Sequence, residues 1–206
     1  MKYLLVAVIG YFGGCIPSGI IVGKLFCNID IRDYGSKNMG STNMFRTMGA
    51  KPALIVLLMD IAKGMFAVFF AGYISSHEVN ALLFGGIMSI LGHNYPFFLG
   101  FKGGRGVATG LGVILVLLPK VTVIIFSVWA VIVFFTRYVS LASVTSAALV
   151  PIFAWYFEYP WQYFYFSIFA ALFIIVRHKE NILRLLRGTE SKIKQGSMEN
   201  FKNKDE

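Results

Sequence analysis

Four polar stretches carry nearly all the residue types in this sequence that do chemistry. The first runs Gly35-Ser36-Lys37-Asn38-Met39-Gly40-Ser41-Thr42-Asn43-Met44-Phe45-Arg46. Small hydroxyls, amides, glycines and one arginine crowd twelve positions. Ser36, Asn38, Gly40, Thr42, Asn43 and Arg46 suit an oxyanion or phosphate cradle, because glycine exposes backbone N–H groups and arginine offers a two-pronged donor. The same residue types also cap helices and build turns. The second stretch runs from His93 to Thr109 and contains Lys102-Gly103-Gly104-Arg105-Gly106 just ahead of an apolar run. Glycine-rich backbone feeding a helix N-terminus binds phosphate through free N–H groups and the positive end of the helix dipole. No Gly-Lys-Ser/Thr closes it, so it is not a Walker A loop. A basic loop resting on lipid headgroups is the plainer alternative. In the third stretch Ser140 and Ser143 share a helix face at i,i+3, which serves a site or plain helix packing. In the fourth, His178 and Asn181 repeat that spacing, Arg184 follows, and Glu190 lies beyond. Ile182, Leu185 and Leu186 face the other way, as in an interfacial amphipathic helix.

Carboxylates are scarce in all four stretches, so a site built from them suits an anion, most plausibly phosphate. No Cys/His cluster or pair of acids has metal-ligand spacing, and Cys15 and Cys27 follow no redox pattern. There is no Gly-x-Ser-x-Gly elbow and no Ser-His-Asp set. These residues allow two classes: an enzyme acting on phosphate-bearing substrates at a membrane, or an anion transporter.

The elements that must hold these stretches are membrane helices. Of 206 residues, 57% are hydrophobic and 14% charged, against roughly 45–50% and about 25% in soluble domains. That excludes disorder and leaves too little polar surface to coat a soluble globule. The net charge of +9 would suggest nucleic acid in a soluble protein; here it reads as lysine and arginine retained on the inner side of a membrane, with no nucleic-acid partner. Apolar runs at 3–26, 53–73, 80–92, 107–118, 121–136, 139–157 and 161–176 predict an all-α integral membrane protein of about seven transmembrane helices, some short or broken. With the N-terminus outside and the C-terminus cytoplasmic, 16 of 19 Lys/Arg residues fall inside. Merging 107–136 into one span divides the bases seven against ten, so seven spans are preferred. A helix over 107–118 is only about 18 Å long, short of the roughly 30 Å hydrocarbon core. Backbone beside it must be buried in protein or line a wet cavity, and a polar pocket entering from the inner face is expected. Asp60 and Lys63, i,i+3 inside the second span, read as a structural ion pair beside that pocket. Residues 1–188 form one polytopic domain, and 189–206 a polar cytoplasmic tail with partial disorder.

At these positions the sequence resembles the bacterial acyl-phosphate–glycerol-3-phosphate acyltransferases of the inner membrane. The resemblance rests on Gly35-Ser36-x-Asn38-x-Gly40-x-x-Asn43-x-x-Arg46, on Gly92-His93-Asn94-x-Pro96 with Phe101-Lys102-Gly103-Gly104-x-Gly106-Val107-Ala108-Thr109, on Val139-Ser140-Leu141-x-Ser143, and on His178-x-x-Asn181-Ile182-x-Arg184-Leu185-x-x-Gly188-x-Glu190. It covers almost the full chain in order. It implies acyl transfer from acyl phosphate to glycerol 3-phosphate without a cofactor, giving lysophosphatidic acid and phosphate. It also implies a multi-pass inner-membrane location with the site at the cytoplasmic face, and transient contact with the enzyme that makes acyl phosphate. In that picture Ser36, His178 and Asn181 are catalytic. Asn38, Gly40, Thr42, Asn43, Arg46, His93, Lys102, Gly103, Gly104, Arg105, Gly106, Thr109, Ser140 and Ser143 bind substrate, while Glu190, Asp60 and Lys63 are structural. Either His178 or a phosphate oxygen of the donor takes the proton. The His-x-x-x-x-Asp motif of other glycerol-phosphate acyltransferases is absent, since Phe98 and Leu183 stand five residues after His93 and His178.

Overall fold

The computed structural model describes residues 1–194 and 196–198. Ten α-helices follow one another among them: α1 (Lys2–Gly14), α2 (Ser18–Cys27), α3 (Ser41–Met48), α4 (Ala50–Ser75), α5 (Val79–Asn94), α6 (Val107–Leu117), α7 (Pro119–Thr136), α8 (Val139–Tyr156), α9 (Trp161–Arg177) and α10 (Lys179–Leu186). No strand occurs among the described residues. Five stretches, 2–27, 50–75, 79–99, 119–136 and 139–156, are long and apolar enough to cross a membrane; α6 and α9 are shorter apolar helices. These seven units fall where the seven apolar runs lie in the sequence.

Two boundaries have local causes. The first run is interrupted at 15–17, because Pro17 has no N–H to continue the ladder. The carbonyl of Ile16, freed by the break, accepts from Lys63 Nζ at 3.1 Å. Ser18 at the start of α2 donates to Asp60 Oδ1 at 2.8 Å, and Asp60 pairs with Lys63 at 2.8 Å. The buried charges on α4 thus satisfy the backbone that the broken helix leaves open. The second boundary is Leu118-Pro119, where proline pushes the preceding residue out of helical space (φ −135°, ψ 57°) and restarts the chain as the first residue of α7.

Small residues let the helices approach closely. On α4 and α6, a Cβ on Gly64 would overlap the Thr109 carbonyl, and one on Gly112 the Ile61 carbonyl. On α1 and α5, Gly14 lies equally tight against the backbone of Ser89. The main core gathers Val113, Leu118, Val121, Ile125, Val150 and Phe166. A second cluster, with Ile31, Met44, Met48 and Val56, seats the amphipathic α3 on α4. From the sequence these residues read as a phosphate cradle or a turn rich in helix caps, not as a helix on α4.

The segment after α10 is docked in its described part. Ile193 N donates to the Arg137 carbonyl at 2.7 Å, and Gly196 N to the Phe45 carbonyl at 3.0 Å. Lys192 Nζ stands 5.5 Å from the centre of the Tyr138 ring. Residues 195 and 199–206 of the expected tail lie outside the described residues.

Candidate active site

Asn43 fixes the first polar loop. Its Nδ2 donates to the carbonyls of Ile31, Tyr34 and Asn38 at 2.8–3.2 Å. Its Oδ1 accepts from Ser36 N at 2.8 Å. Gly35, at φ +58°, lies against that amide, where a Cβ would overlap Oδ1. Asn43 therefore shapes the loop and has its amide occupied. The loop then turns at Gly40 and opens the N-terminus of α3 onto a cavity of about 780 Å³. Ser36, Asn38, Gly40, Thr42 and Arg46 line the cavity on this side.

The glycine loop reaches the cavity from the other side. Gly103 N and Gly104 N donate to the carbonyls of Asn94 and His93 at 3.1 Å, so the loop folds back on the end of α5. Gly106, at φ +80°, leads into α6, whose N-terminus also opens on the cavity through Val107 and Ala108. His93, Arg105 and Gly106 line it; Gly103, Gly104 and Thr109 do not, and Lys102 is exposed outside it. Gly104 packs against the Nε2 end of the His93 imidazole, where a Cβ would overlap Nε2. His93 itself is 3% exposed and has Asp60 Oδ1 3.6 Å from its Nδ1, beyond hydrogen-bond length. Thr109 is buried on the side of α6 that meets Gly64 of α4. Gly104→Ala is expected to displace the His93 ring and the loop with it. kcat/KM should fall by up to about 10²-fold, the cost of about 1 Å of misplacement, while the folded yield holds. An unchanged kcat/KM in folded protein would detach the loop from the site.

Glu190 ties the third and fourth stretches together. Its Oε1 accepts from Ser140 Oγ at 2.8 Å and from Asn181 Nδ2 at 2.7 Å; its Oε2 accepts from Arg184 Nε at 2.7 Å. Burial pushes this carboxyl upward, but the three donors outweigh burial and hold it below the usual range. Ser143 donates to the Val139 carbonyl at 2.8 Å and accepts from Trp129 Nε1 at 3.3 Å, so its hydroxyl is committed to the helix and to α7. Ser140, Ser143, His178 and Glu190 line the cavity; Asn181 stands behind Glu190, with its Oδ1 buried and unpartnered.

His178 caps α9 and is 2% exposed. Its Nδ1 lies 2.8 Å from the Ile174 carbonyl. A carbonyl only accepts, so Nδ1 carries the proton and Nε2 is left as the acceptor. Burial pulls its pKa down to about 4; the positive fields of Arg105 and Arg177 add to this, and the Ile174 carbonyl and Glu190 oppose it. The imidazole is thus neutral at physiological pH.

Positive charge is in excess around this space. Arg46 donates through Nη2 to the Ser191 carbonyl at 2.6 Å, and its Nε is buried without a partner. Burial lowers the Arg46 pKa, and Arg184 lowers it further. Burial, together with Arg184, Arg46 and Arg177, brings Arg105 down to about 10 against the pull of Glu190. Arg177 was not singled out from the sequence. It donates to the Gly104 carbonyl at 2.8 Å and lies 5.0 Å from the centre of the Tyr95 ring, clamping the glycine loop. Its one sequence signal is its place at the end of the last apolar run, next to His178. The cavity's two lining carboxylates, Glu190 and Asp60, are already paired with Arg184 and Lys63, so Arg46, Arg105, Arg177 and two helix N-termini are an unfilled demand for anionic charge.

Beyond these groups the cavity continues between apolar walls of α6, α7, α8 and α9, including Ile114, Ile125, Val150 and Phe166. A polar, cationic mouth on an apolar barrel defines a membrane-embedded site for an anion that carries a hydrocarbon chain. The family model described as glycerol-3-phosphate acyltransferase matches residues 4–188. The glycerol-3-phosphate acyltransferase of Fusobacterium nucleatum is 46% identical over 194 residues, 94% of this chain and 100% of that protein. The one from Alkaliphilus metalliredigens is 44% identical over 193 residues, 94% and 97% of the two chains. The crystal structure of PlsY (YgiH), an integral membrane glycerol 3-phosphate acyltransferase in its glycerol 3-phosphate form, superposes with a TM-score of 0.88 at 39% identity, covering 94% of this chain and 96% of that one. Its lysophosphatidic acid form gives 0.87 at 38% identity, covering 93% and 95%. The chain belongs to the glycerol-3-phosphate acyltransferase family.

Proposed function

We propose that this protein transfers a fatty acyl group from acyl phosphate to the 1-hydroxyl of sn-glycerol 3-phosphate. The products are lysophosphatidic acid and phosphate, the first step of phospholipid synthesis. The observation that carries this reading is the cavity itself, with its cationic mouth between two helix N-termini and its apolar continuation. Family membership and the two ligand forms of the solved relative support glycerol 3-phosphate as one substrate.

Acyl phosphate is already activated, so no covalent enzyme nucleophile is needed. The glycerol 1-oxygen bonds to the acyl carbon, the bond from that carbon to the phosphate oxygen breaks, and phosphate leaves. The hydroxyl proton goes to His178 Nε2 or to a phosphate oxygen of the donor. Rate then comes from holding two anions together in orientation and from donors aimed at the developing oxyanion. Ser36, Asn38 and the turn at 40–42, with Arg46, hold the acyl phosphate. Arg105 and Gly106, at the cavity end of the glycine loop, take the phosphate of glycerol 3-phosphate, with Arg177 clamping the loop. Ser140 and Asn181 work through Glu190, which fixes α8 against α10. Lys102, exposed beside the loop, contributes long-range attraction rather than contact. His93 seats the glycine loop.

In the same reading all seven apolar units cross the bacterial plasma membrane, with the N-terminus outside and the mouth of the cavity at the cytoplasmic face. Residues 1–188 are one domain and 189–206 its cytoplasmic tail. Acyl phosphate reaches the mouth through transient contact with the enzyme that makes it. A transporter would need a second polar opening, and the far lining of the cavity, Ile114, Ile125, Val150 and Phe166, is apolar.

The test offers purified protein labelled glycerol 3-phosphate with palmitoyl phosphate in one tube and palmitoyl-CoA in another. Labelled lysophosphatidic acid from acyl phosphate alone is the expected result. Product from the thioester alone would replace the donor. No product from either, in folded protein, would redirect attention to vesicle uptake of phosphate esters.

A further inference from the structure

The apolar lining of the cavity runs out part-way along α8 and α9. From the polar mouth it follows α8 past Ser143 and Ala147 and α9 past Ile174 and Ala170. It stops at Ile114, Ile125, Val150 and Phe166. These four belong to one buried cluster with Leu117, Leu118, Val121 and Ala154, all at most 9% exposed. His178 and Phe166 are separated by about three turns of α9, roughly 18 Å at the helical rise. Phe166 is also a partition. With Ile90 and Ala170 it borders a separate small apolar niche between α5 and α9, which Ile87 and Leu91 line from the other side.

We propose that Phe166 and Val150 form the end wall of the acyl site and that Ala147, one turn nearer the mouth, keeps the barrel open, so that these three residues set the longest acyl chain the protein transfers. The inference rests on the acyl-phosphate reading above. Its logic is that of a fixed ruler. The reacting carbonyl must lie among the polar groups at the mouth, so chain length alone decides where the terminal methyl falls. Each methylene that finds apolar wall strengthens binding about fourfold. One that overruns must push into side chains packed at crystal-like density. Hydrophobic pockets that end this way discriminate about 10–200-fold per methylene. The niche beyond Phe166 is where a longer chain would go once the ring is removed.

The test offers the purified protein a mixture of octanoyl, palmitoyl and eicosanoyl phosphates with glycerol 3-phosphate and reads the product ratios by mass spectrometry. Ala147→Leu narrows the barrel and is expected to lower the palmitoyl-to-octanoyl ratio about tenfold or more. Octanoyl transfer is retained and reports that the variant is folded. Phe166→Ala opens the wall into the niche and is expected to raise the eicosanoyl-to-palmitoyl ratio by a similar factor. Should Ala147→Leu fail to fold, Phe166→Ala decides alone. Wild-type ratios in every folded variant would overturn the end wall while leaving the donor reading intact. A wild-type protein that makes no product from any acyl phosphate would instead remove the donor reading, and this proposal with it.

Discussion

Replacing His178 by alanine is expected to lower kcat by about 10²–10⁴-fold, the usual worth of a positioned general base, with a smaller change in KM for glycerol 3-phosphate. The hydrogen bond from Nδ1 to the Ile174 carbonyl leaves Nε2 as the only nitrogen able to accept a proton. With a pKa of about 4 the imidazole is neutral but weakly basic. Two phosphates entering beside Arg105 and Arg177 would replace that positive field with a negative one and raise its basicity as the substrates bind. Retention of most of the turnover in His178→Ala would place the proton on the donor phosphate instead. The same depressed pKa has a consequence for stability. Unfolded, the histidine titrates near 6.5; folded, near 4. Between those values the unfolded chain binds more protons, so stability is fully present above pH 6.5 and falls as the pH drops toward about 4. His178→Gln should flatten this part of the curve in thermal unfolding of the detergent-solubilised protein, and an identical slope would sink the assignment.

Asp60→Ala is expected to cost about 3–5 kcal/mol, the range for stripping one partner from a buried ion pair. Lys63, 5% exposed, would be left with only the Ile16 carbonyl as partner, and Ser18 would lose its acceptor. Loss of folded protein in that variant does not by itself separate structure from catalysis. The double variant Asp60→Leu/Lys63→Met does, because an apolar pair of similar volume avoids the unpaired charge. Recovery of folded protein with acyl transfer intact is the expected result. Recovery of folding with activity still absent would give these charges a part in the chemistry.

Much of the framework was legible from patterns that physics enforces one residue at a time. Long apolar runs fix helices wherever water is excluded, and Pro119 marks the division between α6 and α7. The break at Pro17 was passed over, because the run continues apolar through it and the compensation comes from Lys63, 46 residues away in sequence. Helix α3 was hidden by its own residue types: Ser41, Thr42 and Asn43 read equally well as caps, and the helix exists because Met44 and Met48 find buried partners. The four polar stretches do converge, with Ser36, Arg46, Arg105, Ser140 and His178 on one cavity. What the sequence could not distinguish is contact from support. Asn43 and Lys102 look alike as ligands on paper; Asn43 lines the cavity with its amide held by the backbone, and Lys102 is exposed outside it. The cavity end wall was invisible too, since Phe166 and Val150 carry no polar mark.

Glu190 follows every described helix in the order of synthesis, yet it is the common acceptor for Ser140, Asn181 and Arg184. All the described helices are therefore made before the carboxylate that fixes α8 against α10 exists, and the joining of α8 to α10 is deferred until then. A nascent chain stalled before that residue would lack the one acceptor that joins Ser140, Asn181 and Arg184.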